Sequence, residues 1–461
     1  MPEDMSLRKG RTLTGIDTDG RMTQYTHLIH RSSQCFMDDP IGSLNRPVAP
    51  VVLARPGHSI SRQDIDPNAL KVVYRLHRLG FTAYVTGGAV RDLLLGRPAK
   101  DFDVVTNARP GQIKKRFANA YVIGRRFRLV HVHFSGAKTI EVATFRRAIG
   151  RLEEKAPDAE GPPPSPYGTA EEDAFRRDIT INALFYDVIS DAILDYVGGL
   201  EDMHRKTVRV IGDPAERITE DPVRIWRILR YAARLEFAVE EAAKREISVH
   251  AHLIAACSGA RLYEELNKDL AYETKPVMEA LRKFGILRHI LGSAGEEYEK
   301  NAGLFAELSF ILEAVDRAKS AGVPLSLAEM YAALFWPWVR PVFEESGVDF
   351  QKVLSEAFHN ARIQVNIPRS LRADSNQILI FVAAVERALH TGKMRWSLTR
   401  RPLFGEAARL HFLIFKGRAP AKGESFEALF REAFPSGGTE QRRRRRRRKR
   451  RSPEPAEGTS T

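Results

Sequence analysis

Two aspartates one residue apart, Asp101 and Asp103, are the densest piece of candidate chemistry in the chain. In an extended segment side chains alternate between faces, so both carboxylates project together while Phe102 turns into the core. Two such anions repel unless a cation stands between them. Hard oxygen donors near phosphate are what Mg²⁺ uses. One ion would lower the pKa of an attacking hydroxyl, and a second would hold a triphosphate and stabilise the departing pyrophosphate. Fourteen residues earlier lies Gly87-Gly88, between a strand-like and a helix-like run. Without side chains, that pair lets backbone N–H groups approach a phosphate chain. Alone, the glycine pair reads as a tight turn and the Asp-x-Asp as a solvated turn. Together they favour nucleotidyl chemistry.

The full string Gly87-Gly88-Ala89-Val90-Arg91-Asp92-Leu93-Leu94-Leu95-Gly96, followed by Lys100-Asp101-Phe102-Asp103, resembles the signature of the class II nucleotidyltransferases. That family comprises tRNA CCA-adding enzymes and bacterial poly(A) polymerases. Two further motifs match in family order: Arg176-Arg177-Asp178-Ile179-Thr180-Ile181-Asn182 and Glu220-Asp221-Pro222-Val223-Arg224-Ile225-Trp226-Arg227. The resemblance implies two Mg²⁺ ions held by Asp101 and Asp103, with Asp178 as a third active-site acid. Glu141 ranks below Asp178 for that place, and a structural salt bridge is the rival role for Asp178. Gly87, Gly88, Arg91 and Arg177 are implied to bind the triphosphate of ATP, the guanidinium fork suiting phosphate oxygens.

Asp221 and Arg224 stand three residues apart, neighbours on a helical face. The resemblance makes them the protein template for the incoming base and Arg227 a nucleotide-binding position. A carboxylate accepts from the adenine amino group while a guanidinium donates to N1. Cytosine offers an equivalent pair, so this motif does not choose A over C. The simpler role for Asp221 is to cap the helix at Pro222. Arg230 and Arg234 extend a basic stripe whose outer members read as a solvated face.

The segment Val122-Ile123-Gly124-Arg125-Arg126-Phe127-Arg128-Leu129-Val130-His131-Val132 resembles the stretch that separates bacterial poly(A) polymerases from their CCA-adding relatives. The similarity extends to His58–Arg62 and to the region of Arg400-Arg401-Pro402. Two features depart from it: a short, Pro-rich loop between Arg146 and Gly168, and Ile179 where Phe or Leu is usual. The expected activity is template-independent addition of AMP from ATP to RNA 3′ ends. A CCA-adding enzyme is the alternative within the family, and a non-catalytic RNA-binding relative is the alternative of another class.

Positioning these residues requires a mixed α/β head. A helix is expected from Pro67 to Leu79, with Asp66 as N-cap and Gly80 as the stop. Strands are expected at Ala83–Thr86, Phe102–Val105, Tyr121–Ile123, Leu129–Phe134 and Thr139–Ala143, with helices at Val90–Leu95 and Gly111–Phe117. From Pro222 to Phe434 the pattern is helical nearly throughout, with breaks expected at Gly259, Gly285–Gly292, Gly322–Pro324, Pro337–Gly347 and Pro368. The fold class is therefore α+β: a nucleotidyltransferase head followed by an all-helical neck, body and leg, with disordered termini. The expected divisions are 1–58 (an extension with little fixed structure), 59–196 (head), 197–265 (neck), 266–335 (body), 336–434 (C-terminal RNA-binding region) and 435–461 (basic tail).

Composition agrees with this outline. At 461 residues, 43% hydrophobic, the chain can bury a large core in two to four domains. It has no apolar run long enough to cross a membrane and only Cys35 and Cys257, so no secretory leader, disulfide framework or Cys-type metal site is expected. A reducing cytoplasm fits. The formal charge is +14, of which ten units lie in the run Arg442–Arg451. That run is an electrostatic footprint for a polyanion such as RNA.

Overall fold

The computed structural model describes residues 49–124, 128–147, 166–344, 350–421 and 423–434. Arg125-Arg126-Phe127, most of the Pro-rich loop and the whole arginine tail lie outside the described residues. The chain divides at Asp213/Pro214 into two compact units.

The first unit is built on an eight-stranded sheet. In chain order its elements are β1 (Val51–Ala54), α1 (Pro67–Arg78), β2 (Ala83–Thr86), α2 (Gly88–Leu94), β3 (Asp103–Thr106), α3 (Pro110–Arg116), β4 (Ala120–Ile123), β5 (Leu129–His133), β6 (Thr139–Thr144), α4 (Ala170–Phe175), β7 (Phe185–Asp187), β8 (Ala192–Asp195) and α5 (Gly199–His204). The spatial order is β1-β8-β7-β2-β3-β6-β5-β4. Among these pairings only β3 with β6 is parallel.

Alternation along the strands sorts the side chains into two layers. Val85, Val104, Val130, Val132, Ile140 and Val142 pack with Val72, Val73 and Leu76 of α1, Val90 of α2 and Ile113 of α3. Each such side chain contributes about 1.5–3 kcal/mol on burial. On the other face Val105, Phe145, Phe185, Ala174 and Ile211 form a smaller core. That core covers one end of the face and leaves the end toward β4 open. α1 forms as expected: Asp66 accepts from Asn68 N (2.7 Å), Pro67 opens the helix, and Gly80 leaves it at φ +82°.

The expected extension to residue 58 is corrected. Val51–Ala54 forms edge strand β1, paired with Ala192–Asp195. His58 is buried, with Nε2 3.0 Å from Asp191 O. A four-residue apolar run without alternation carries little signal until its partner strand is known.

The second unit is helical apart from the two-residue strand Ala238–Val239: α6 (Pro214–Glu220), α7 (Val223–Leu235), α8 (Glu241–His250), α9 (Gly259–Leu270), α10 (Lys275–Lys283), α11 (Leu287–Leu291), α12 (Ser293–Lys300), α13 (Ala302–Ser320), α14 (Leu327–Glu344), α15 (Phe350–Asn360), α16 (Arg369–Thr391), α17 (Phe404–Lys416) and α18 (Phe426–Ala433). The break expected at Pro337 does not occur, because α14 runs through Pro337 and Pro341 to Glu344. Interior prolines cost roughly 3 kcal/mol. Burial of Phe335, Trp336 and Val339 offsets this, and Tyr298 Oη of α12 donates to Leu334 O (2.6 Å), tying the two helices together. No helix among the described residues is long and apolar enough to cross a membrane.

The arginine stripe of α7 is not a solvated face. Arg230 is buried and donates to Asp269 and Glu265 of α9; Arg234 donates to Asp269 Oδ1 (3.0 Å), and Trp226 Nε1 to Asp269 Oδ2 (2.5 Å). Burial pushes Asp269 upward against the pull of Arg230 and Arg234. Burial also acts to raise Glu265, but Arg230 and Arg227 outweigh it and bring it to about 2.

Two outcomes follow for stability. Asp269→Ala strands a buried guanidinium and should cost about 3–5 kcal/mol, read as a lower urea midpoint. An unchanged midpoint would show that the network is not structural. Glu265 titrates below its ordinary 4.5 in the folded state, so its stabilisation is present above that value and lost as pH falls toward about 2. Glu265→Gln, less stable at neutral pH, should therefore lose less stability than the unmodified chain between about pH 4.5 and 2. Parallel acid profiles would contradict this.

Candidate active site

The site grows out of the parallel ladder. β3 and β6 run with Asp103 opposite Glu141, and β2 sets Thr86 opposite Asp103. Directly paired residues point to one face, so the two carboxylates stand side by side on adjacent strands. β3 begins at Asp103, leaving Asp101 just before it; Phe102 is 6% exposed while both aspartates are exposed. The alternation expected of Asp-Phe-Asp is present. Asp103 keeps a solvent-facing edge, yet the protein around its carboxylate desolvates it, and with the charges of Glu141 and Asp101 pushes it up to about 6 against the pull of Arg177.

The glycine pair lies against this acid. Gly87 has φ +74°, a conformation that favours glycine, and a Cβ there would sit 3.7 Å from Asp103 Oδ2 and 3.8 Å from Arg177 Nη1. Gly88 opens α2. The turn, the acid and the arginine therefore share one small region.

The two arginines expected to meet phosphate are held by named partners. Arg91, buried, donates to Asp92 Oδ1 (2.9 and 2.7 Å) and to Asn182 Oδ1 (2.5 Å). Arg177 donates to Asp173 Oδ2 (3.1 and 2.9 Å) and to Asn182 O (3.0 Å), with its guanidinium 5.2 Å from the Phe185 ring centre. Asn182 thus couples both arginines, and fully buried Asp173 anchors Arg177 and Arg176. Sequence reasoning assigned neither residue to the site. Asn182 was legible as the last position of the Arg-Arg-Asp motif; Asp173 becomes legible only as the acid one helical turn before two arginines.

Asp178 is half-buried, and its backbone carbonyl accepts from Ile211 N (3.3 Å). The acid set in register with Asp103 is Glu141, whose Oε1 lies 3.5 Å from His131 Nε2. Glu141 had a visible signal, an acid alternating with Ala143 on a strand, but strand order was needed to bring it to Asp103.

In the second unit, Asp221 precedes α7 by two residues and takes a bidentate contact from Arg261 of α9 (2.9 and 2.7 Å). Its side chain does not cap the helix. Arg224 is buried and donates to Arg217 O (2.6 Å) and Glu220 Oε2 (2.7 Å). Arg227 meets Glu265 Oε1 (3.0 Å). Both members of the expected base-reading pair are thus fixed from within their own unit. Arg261, forty residues on, left no signal in the sequence.

Comparison with known proteins gives the chain a family. Residues 83–209 match the model of the poly A polymerase head domain, and residues 236–295 that of a probable RNA and SrmB-binding site of polymerase A. Poly(A) polymerase I of Salmonella typhimurium is 36% identical over 376 residues, covering 77% of this chain and 80% of that protein. The CCA-adding enzyme of Lactobacillus helveticus is 36% identical over 205 residues, 44% of this chain and 50% of that one. The crystal structure of the Bacillus stearothermophilus CCA-adding enzyme in complex with CTP has the same fold at TM-score 0.53, with 24% identity, covering 84% of this chain and 100% of that one. In sequence, the match to the polymerase extends well beyond the head, whereas the match to the Lactobacillus helveticus CCA-adding enzyme spans half of that protein. The chain belongs to the poly(A) polymerase family of RNA nucleotidyltransferases.

Proposed function

We propose that this chain adds AMP from ATP to RNA 3′ ends with release of pyrophosphate. The observation that carries the reading is the Asp103–Glu141 pair beside Gly87, in a chain aligned with a poly(A) polymerase over four fifths of its relative's length. A bare RNA-binding module has no use for mutually repelling carboxylates. The longer match to the polymerase favours long A addition over completion of a tRNA end.

The donor set fits magnesium. Among the described residues, no three acid, histidine or cysteine side chains converge into a ready-made cage. Mg²⁺ commonly uses one or two carboxylates and completes its shell with water and substrate phosphate. Asp101 and Asp103 would hold it, with Glu141 alongside as a further acid and Asp178 an additional candidate from the motif. When bound, the two ions expected supply Lewis-acid stabilisation and lower the pKa of the RNA 3′-hydroxyl.

The remaining work belongs to the chain. The 3′-oxygen forms a bond to the α-phosphorus as the bond to pyrophosphate breaks, and no covalent enzyme intermediate is needed. Arg91 and Arg177 offer guanidinium to the phosphates, oriented through Asn182. Asp221, pinned by Arg261, accepts from the adenine amino group while Arg224 donates to N1. Pre-fixed donors and acceptors cost little reorganisation during reaction.

Asp103→Ala should reduce AMP incorporation by about three orders of magnitude or more, the loss of several kcal/mol of metal-borne stabilisation, with a urea midpoint no lower than that of the unmodified chain, because the repulsion from Glu141 and Asp101 is relieved. Near-normal turnover by the folded variant would refute the metal assignment. Supplied with one nucleotide at a time on an unstructured RNA, the chain should build long A tracts from ATP alone. Addition confined to C, C and A on tRNA would transfer the assignment to the CCA-adding enzymes.

A further inference from the structure

The ladder that pairs Asp103 with Glu141 continues outward. Glu141 faces His131, and His131 faces Tyr121, so Asp103, Glu141, His131 and Tyr121 form one row across β3, β6, β5 and β4. All four side chains lie on the face opposite the helix-covered core. Three strand spacings separate the row's ends, about 14 Å.

The far end of the row is an aromatic surface that the fold does not need. Tyr121 is 57% exposed on an edge strand, and Ile123, two residues along the same face, is 46% exposed. The Tyr121 ring is braced rather than loose. His133 meets it edge-on at 5.2 Å, and Thr139 Oγ1 lies 2.9 Å from His133 Nδ1, fixing that imidazole in turn. An exposed, oriented ring on the same face as a nucleotidyl-transfer site suits a nucleobase, because every base has a π-face. At the stacked rise of 3.4 Å, 14 Å is the reach of roughly four nucleotides.

We propose that Tyr121, braced by His133, is a stacking platform for a base of the single-stranded RNA 3′-terminal segment, a few nucleotides upstream of the reacting hydroxyl. The proposal rests on RNA being the substrate. Stacking does not read sequence, so the platform serves an arbitrary RNA end and an A tract alike. The row supplies the direction: RNA entering over β4 runs toward the acids of β3 and β6.

The test is steady-state AMP incorporation on an unstructured oligo(A) RNA by the full chain. Tyr121→Ala should raise the KM for RNA by about ten- to hundredfold, the worth of one stacked base, while kcat at saturating RNA and the KM for ATP hold. Tyr121→Phe and Tyr121→Trp should restore the KM. Oligo(A) added without ATP should quench the fluorescence gained in Tyr121→Trp. An unchanged RNA KM in Tyr121→Ala, or an equal rise for ATP, would overturn the platform while leaving the proposed activity standing. Failure of the unmodified chain to extend RNA would overturn the activity and this inference with it. A Tyr121→Ala protein normal toward RNA but unable to bind a protein that the unmodified chain binds would reassign the surface.

Discussion

One parallel strand pairing governs the head. Nothing in the chain draws Asp103 toward Glu141; their charges push them apart, and both are hydrated at low cost when alone. The β3–β6 ladder overrides that repulsion because the opposite face of the same strands is locked in place by Val104, Val142 and the helices over them. Sliding either strand by one residue would turn those valines to solvent along with the acids to the core. The apolar layer thus enforces the electrostatic conflict, and desolvation together with that conflict leaves Asp103 at about 6. Gly87 and Arg177 complete the same arrangement, one by having no side chain and the other by supplying the opposite sign.

The second unit manages charge differently. There Asp269 and Glu265 are matched inside the protein against Arg227, Arg230 and Arg234, while at the surface Asp221 is matched against Arg261. Such buried pairs add little net stability over apolar residues of similar size, yet breaking one member is costly. Their effect is geometric. α7 is held to α9 in a single register, and Asp221 and Arg224 at its head inherit that fixity.

Much of this was legible from residue order. Asp66-Pro67 and Gly80 bracket α1 because a cap, a ring-fixed φ and a left-handed stop are local effects. Strands β2, β4, β5 and β6 fall within a residue of their expected bounds for the same reason, short alternating runs between turn residues. The Gly-Gly and Asp-x-Asp elements were visible and do come together. What escaped depends on partners distant in sequence. β1 needs β8, the continuity of α14 through Pro337 needs a buried face, and the inward turn of Arg230 needs two acids more than thirty residues away. Glu141 illustrates the boundary between the two cases. Its strand was foreseen, but only strand order reveals that it neighbours Asp103.

The short strand β1 has a further effect, on how the molecule behaves among copies of itself. It is outermost on its side of the sheet, with Val51 and Val52 exposed, and a bare strand edge invites another chain to pair. Pro50 and Pro56 flank it closely, and neither has an N–H to donate. An intruding strand would find only a few consecutive hydrogen-bonding positions, too few to hold a lasting cross-molecule ladder. Brevity and flanking prolines thus let the sheet stop at β1.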